Sequence, residues 1–288
     1  MTTENQIKDF RNYLVQLGYS KSSCYMLPEC VKDFLRQVAE PIIENITTYH
    51  IEQFYEWLQT RPHKRKEGGL SEQYINHHIY ALKVFFNWLE QTGQIQYNPI
   101  SVMKFKSPKG NPREPLSQQE IKLLFEVTES LKENAILHLF YSCGLRRSEG
   151  EALNIQDIHF KKQILYVREG KGAKRRAVPM TERVTKELES YYLNERTTLS
   201  KVKNTEAFIL NRVGLRMRGS GYNKLLKVLL QRTELNNEIT LHHLRHSIAT
   251  HLLASGLEIE KVRDFLGHGF LETTQIYAKV YPNQLKKL

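Results

Sequence analysis

Between residues 241 and 277 the chain reads LHHLRHSIATHLLASGLEIEKVRDFLGHGFLETTQIY, placing His and Arg on one segment and a single Tyr on another. Leu241, Leu244, Ile248 and Leu252 recur at the spacing of an amphipathic helix. At roughly 100° per residue, Arg245 falls about 40° and His242 about 100° from the Leu241 direction, with His243 and His246 turned further away. His242 and Arg245 thus share a flank beside the apolar stripe. Partly desolvated groups there meet an anion such as phosphate through charge-assisted hydrogen bonds. The same HHLRH cluster also fits a solvated polar face.

Upstream lie residues of matching chemistry. Arg146 follows Gly144 in YSCGLRRSEGEAL, Lys171 sits in GKG, and His268 follows Gly267. Each is weak alone. A lysine at a hairpin tip is ordinary, and the G-x-x-x-x-G-K-[ST] phosphate loop is missing. Tyr277 is one of 15 tyrosines.

The elements that must position these groups follow from periodicity. Helices are expected over residues 4–17, roughly 25–38 with regular helix starting near Pro28, from Thr47 or Thr48 through IEQFYEWL, and from Ser71 to Gly93. NPISVMKFKSPKGNPREP, residues 98–115, is a basic, proline-rich linker by composition. Ser117 and Glu120 form a capping box opening the next helix, and another begins near Asn134 and reaches Gly144. DIHF, QILYVRE and RRAVPM read as a small meander with turns at Lys161-Lys162 and Gly170-Lys171-Gly172. Helices resume at 182–192 and 224–231, ahead of the His/Arg segment. EIEKVRDFLGHGFLETTQIYAKV also reads as helix, glycine turn, helix.

The net charge of +11 is uneven: residues 1–114 hold 14 Lys+Arg against 12 Asp+Glu, and residues 115–288 hold 28 against 19. Such a field is an electrostatic footprint for nucleic acid, although basic charge also serves solubility. Arg61, Lys64, Arg65 and Lys66 in RPHKRKEGG, Lys104, Lys106 and Lys109 in the linker, Lys174 and Arg175 in the meander, and Arg212, Arg216 and Arg218 in NRVGLRMRG are candidate DNA contacts. Cys24, Cys30 and Cys143 form no C-x-x-C pair and read as reduced packing residues. Eleven histidines occur without H-E-x-x-H spacing, so no metal site is expected. No run approaches the ~18 apolar residues of a membrane span and the N-terminus has no signal core, so a cytoplasmic, nucleoid-associated protein is expected.

Taken in order, CGLRRSE at 143–149, GKGAKRRAVP at 170–179, LHHLRHSIATHLL at 241–253 and LGHGFLETTQIYAKV at 266–280 resemble the tyrosine recombinase, or phage integrase, family and its Xer-like members. The likeness covers nearly the whole chain. It implies a mainly α fold with a small antiparallel β-meander. A four-helix, SAM-like core-binding domain at 1–97, the linker at 98–115 and a mixed α/β catalytic domain at 116–288 would together form a C-shaped clamp on DNA. Arg146 and Arg245 match the arginines that grip the scissile phosphate, Lys171 the hairpin lysine, His242 and His268 the two histidines, and Tyr277 the nucleophile. Glu149 matches a supporting acidic position. Arg147 and Gly150 stand where the family often has apolar residues.

The implied activity is cleavage and rejoining of DNA through a 3′-phosphotyrosine, with no metal, ATP or other cofactor. The implied partner is double-stranded DNA bearing paired sites, bound by a tetramer whose protomers associate weakly when free, with no membrane involved. The sequence stops eleven residues after Tyr277, so a short tail, VYPNQLKKL, is expected where many relatives have a longer docking helix. Two other readings compete: a DNA-binding protein without catalysis, and a type IB topoisomerase.

Overall fold

The chain folds as two units, Met1–Asn111 and Pro112–Leu288. The computed structural model describes residues 3–38, 42–63, 67–106, 114–168, 175–200 and 205–267. Lys64, Arg65, Lys66, Lys109, Lys171, Lys174, His268 and Tyr277, with the Gly170-Lys171-Gly172 turn and the C-terminal tail, lie outside the described residues.

The first unit is helical, with α1 (Thr3–Gln16), α2 (Lys21–Val38), α3 (Thr48–Thr60) and α4 (Glu72–Gln91). Their apolar stripes meet in one core where Phe10 packs edge-on to Phe85 and Phe34 edge-on to Phe54 and Phe86. Helix α2 starts earlier than Pro28 suggests. Ser20 Oγ accepts from the Ser23 N–H at 3.1 Å, and Pro28 sits inside the helix as a buried residue. Capping and burial therefore outweigh the hydrogen bond that proline cannot donate. His78 is buried with Nδ1 3.0 Å from the Tyr74 carbonyl, whereas its neighbour His77 is exposed.

Two expectations for this unit change. Asn98 and Ile100 are buried, Met103 and Phe105 pack on the same core, and Asn98 Nδ2 donates to Asn87 Oδ1 at 2.8 Å. The first part of the composition-defined linker therefore continues the helical unit. Arg61 lies 4.4 Å from the Trp57 ring centroid, with Nη2 3.7 Å from Asp33 Oδ2 and its side chain mostly covered. It is a packing cation of the helical unit.

In the second unit, α5 (Gln118–Glu126) begins at the Ser117/Glu120 capping box, with Ser117 Oγ accepting from the Glu120 N–H at 3.2 Å. Helix α6 (Leu131–Leu137) continues as a π-turn through Ser142, and Gly144 closes it at φ 57° before α7 (Arg147–Ala152). Next come β1 (Ile158–His159), β2 (Ile164–Val167) and β3 (Arg176–Pro179), an antiparallel sheet of order β1-β2-β3 with Leu165 opposite Val178. Helices α8 (Glu182–Ser190), α9 (Arg196–Ser200), α10 (Gly219–Gln231), α11 (Leu241–Ala254) and α12 (Ile259–Leu266) follow. Helix α10 starts well before the expected Lys224. At its N-terminus, Glu151 Oε2 accepts from the Gly219 N–H at 2.9 Å.

The core of this unit joins Phe140, Leu145, Leu165, Val178, Tyr222, Leu241 and Leu244. Arg196 is buried, and its guanidinium donates to the Thr205, Ala207 and Phe208 carbonyls. No helix among the described residues is long and apolar enough to cross a membrane.

Candidate active site

Glu149, on the first turn of α7, is the hub of a cluster of three arginines. One of its carboxylate oxygens accepts the Arg146 backbone N–H at 2.8 Å, which fastens the turn as a helix start. Arg146 Nη1 donates to Glu149 Oε1 at 2.7 Å. Arg176, at the start of β3, donates bidentately from Nη1 and Nη2 at 2.9 and 2.8 Å. Arg245 Nη1, from α11, lies 3.8 Å from Oε2.

Burial alone would push the Glu149 carboxyl up. The hydrogen bonds and charge of Arg176, together with the Arg146 contacts, outweigh that and hold it at about 2. One carboxylate among three guanidiniums leaves a surplus of two positive charges. Beside it Cys143 is fully buried and its thiol is pushed up to about 12, so it acts as packing.

The same arginines hold the carboxyl end of α12. Arg176 Nε donates to the Phe265 carbonyl at 2.9 Å, Arg245 Nη2 to Leu266 at 2.6 Å, and Arg146 Nη2 to Gly267 at 3.0 Å. Arg245 Nη1 also donates to the Gly144 carbonyl. A helix end leaves its last carbonyls without intrahelical partners and carries partial negative charge, so cations belong there. Gly267 adopts φ 64°, which turns the chain sharply out of the helix.

Arg245 is more deeply set than helical angles imply: it is 1% exposed, inside the unit and not on a flank. Arg146 stands at the edge, with 21% of its side chain accessible. Its Nη1 and Nη2 each donate once among the described residues, to Glu149 and to Gly267. His242 is exposed near the start of α11. Its neighbour His243 acts differently, because its Nδ1 accepts from the Thr240 N–H at 3.0 Å and lies 2.8 Å from Thr240 Oγ1. Accepting at Nδ1 puts the ring proton on Nε2 and makes His243 a helix cap.

The positions with unusual residue types also find a reason. A β-carbon on Gly150 would lie 2.7 Å from Phe140 Cζ, so only glycine lets α7 approach the core this closely. The aliphatic part of Arg147 covers Gly219 in the same way.

The proposed DNA contacts divide. Lys104, Arg175 and Arg212 keep their side chains at the surface, as do Lys106, with Nζ 3.9 Å from Glu72, and Arg218, with Nη1 3.2 Å from Glu151. Arg216 does not belong with them. Its guanidinium donates to the Glu151 and Leu153 carbonyls at 2.8 and 3.2 Å and to Asn154 Oδ1 at 2.5 Å, so its work is structural. No group of three His, Cys, Asp or Glu among the described residues is placed to hold a metal.

Sequence reasoning missed Arg176. The available signal was alternation: β3 points Arg176 and Val178 to the same side, and Val178 is buried. A charged residue on the inward face of a strand needs a buried partner, here Glu149.

Residues 114–284 match the Phage integrase family, and residues 6–95 match the phage integrase N-terminal SAM-like domain. The chain belongs to the phage integrase family. Among its relatives, the tyrosine recombinase XerC of Oceanobacillus iheyensis is 33% identical over 90% of this chain and 85% of its own length. The tyrosine recombinase XerA of Pyrococcus horikoshii is 31% identical over 98% and 91%.

Solved structures of similar fold include the XerA recombinase, with TM-score 0.53 and 27% identity over 98% of both chains. The Tn1549 transposon integrase in complex with circular intermediate DNA has TM-score 0.75 and 21% identity over 96% of this chain and 95% of that one. The glutamate and three-arginine cluster lies wholly within the part of the chain that matches the Phage integrase family.

Proposed function

We propose that this phage integrase family protein is a site-specific DNA recombinase with Tyr277 as its nucleophile. The observation that carries the reading is the gathering of Arg146, Arg245 and Arg176 around Glu149 at the end of α12, shortly ahead of Tyr277 in the chain. The phenolate oxygen of Tyr277 forms a bond to the scissile phosphorus while the bond to the 5′-oxygen breaks. Lys171 gives that oxygen its proton. The transition state carries two negative charges, which the two-charge surplus of the cluster suits. Permanently charged, fork-shaped guanidiniums fit equatorial phosphate oxygens better than lysine does. His242 exchanges the tyrosine proton, and His268 donates to a nonbridging oxygen.

The phosphotyrosine conserves the bond's free energy, and attack by a 5′-hydroxyl rejoins the strand without ATP. The surface residues Lys104, Lys106, Arg175, Arg212 and Arg218, together with Lys64, Arg65, Lys66, Lys109 and Lys174, contact the backbone of double-stranded DNA. Recombination of paired sites calls for a tetramer of the chain.

The test uses a duplex selected for binding from a random-sequence pool and nicked near the scissile phosphate, so that cleavage becomes irreversible. A denaturation-resistant protein–DNA adduct is expected in excess chelator with the native chain and not with Tyr277→Phe. An adduct that survives Tyr277→Phe, or that needs added divalent metal, overturns the reading. Recombination of two sites, as opposed to relaxation of one supercoiled circle, separates it from topoisomerase action.

A further inference from the structure

Arg176 ties Glu149 directly to the carboxyl end of α12. It is 7% exposed at the side chain and meets Glu149 with both terminal nitrogens while its Nε holds the Phe265 carbonyl. Glu149 in turn fixes both the backbone and the guanidinium of Arg146. Arg176 Cδ would lie 2.8 Å from a β-carbon on Gly267, so the stem of this arginine runs against the turn where the chain leaves α12. Arg176 also stands five residues after Lys171, at the foot of the hairpin. One side chain thus links the strand that follows the lysine, the carboxylate that sets Arg146, and the helix end that leads towards Tyr277.

From this geometry we infer that Arg176 is a positioning residue for strand cleavage, acting through Glu149 and the carboxyl end of α12 to hold the phosphate-gripping arginine and the nucleophile's chain in one register. This rests on the recombinase reading above. A lysine at 176 keeps the charge but offers one ammonium where three guanidinium contacts now diverge, so it cannot hold Glu149 and Phe265 together. Misplacement of reacting groups by about 1 Å costs about 100-fold in rate while leaving binding largely intact.

Loss of Arg176 also has a charge signature. The groups facing Glu149 are Arg146 from its own turn, Arg176 from β3 and Arg245 from α11, and the groove at its side adds Asp157 and Arg168. Without the Arg176 charge, the Glu149 carboxyl rises and takes up a proton as the medium turns acid.

The experiment compares the full chain with Arg176→Lys, Arg176→Gln and, as a control away from the site, Arg183→Gln. Adduct formation on the selected nicked duplex, equilibrium affinity for the unnicked duplex, and thermal midpoint are measured across mildly acid to neutral pH. Arg176→Lys is expected to fold, to bind DNA within about threefold of the native chain, and to form adduct about 100-fold more slowly at every pH. Arg176→Gln is expected to show the same loss plus a steeper fall of rate, relative to the native chain and to Arg176→Lys, as the pH is lowered. A native rate in Arg176→Lys, a loss that tracks folded fraction or DNA affinity, or a flat pH profile in Arg176→Gln overturns the inference. Absence of adduct from the native chain would instead count against the recombinase reading.

Discussion

The stem of Arg176 lies across the α-carbon of Gly267, close enough that an added β-carbon would meet Arg176 Cδ at 2.8 Å. Arg176 cannot swing aside cheaply, because Glu149 and the Phe265 carbonyl hold its far end. Gly267 also sits at φ 64°, a conformation that costs other residues roughly 1 kcal/mol or more. Gly267→Ala is therefore expected to slow adduct formation about as strongly as loss of Arg176, with DNA affinity nearly unchanged. Rapid-quench assay of adduct formation beside a binding isotherm checks this, and a native rate in the variant refutes it.

Gly150→Ala tests the packing of the same turn. The new methyl would press on Phe140, which is fully buried and stacked edge-on to Tyr222 with ring centroids 5.0 Å apart. Overpacking costs about 1–3 kcal/mol, and the better helix propensity of alanine offsets about 1. A net loss of up to about 2 kcal/mol is expected in chemical denaturation. Unchanged stability would mean that Phe140 can move.

Glu149 should leave its mark in acid. Its carboxyl is held at about 2 against an ordinary value of 4.5, a depressed carboxylate, so its stabilisation is complete above about 4.5 and lost as pH falls towards 2. The difference corresponds to at most about 3 kcal/mol. Glu149→Gln is expected to be less stable than the native chain at neutral pH, with the two curves converging between about pH 4.5 and 2. Urea titrations at neutral pH and at two points inside that window measure it; curves that run parallel contradict the assignment.

Arg212 and Arg216 make a matched pair for the DNA surface. Arg212 is exposed, whereas Arg216 commits its guanidinium to the Glu151 and Leu153 carbonyls. Arg212→Gln is expected to weaken DNA binding and to reduce the slope of log affinity against log salt by about 1, with no change in thermal midpoint. Arg216→Gln is expected to lower the midpoint. The reverse assignment of effects would remove Arg212 from the interface.

The helix order and the types of the site residues are legible in the sequence because periodicity and capping are local. The stripes of α1 and α4 and the Ser117/Glu120 box are examples, and four motifs in the right order point to the family. Depth and partnership are not legible in the same way. Helical angles place Arg245 beside a stripe, but its burial comes from Gly144, Glu149 and Leu266, which reach it from elsewhere in the chain. Pro28 misleads because tertiary burial outweighs a local rule. Arg61 and Arg216 look like loop cations because composition cannot tell a solvated guanidinium from one stacked on Trp57 or tied to carbonyls. Arg176 is easily passed over beside Arg175, although alternation along β3 separates an inward arginine from an outward one.

The neighbouring histidines of α11 give the sharpest contrast between chemistry and capping. His243 Nδ1 accepts the Thr240 N–H, so removing the ring takes away a cap worth about 1 kcal/mol, while the orientation of α11 is still held by Leu241 and Leu244 in the core. His243→Ala is expected to lower the thermal midpoint and to change the adduct rate by less than about threefold, since the ring is not assigned to the reaction. His242 stands exposed one position earlier, away from that cap, so His242→Ala is expected to keep its midpoint and to slow adduct formation by about 100-fold or more, the range of general acid–base assistance. Measuring both variants in one melting and rapid-quench series decides the matter: if His243→Ala is the slow variant and His242→Ala the unstable one, the phosphate-facing histidine has been assigned to the wrong neighbour.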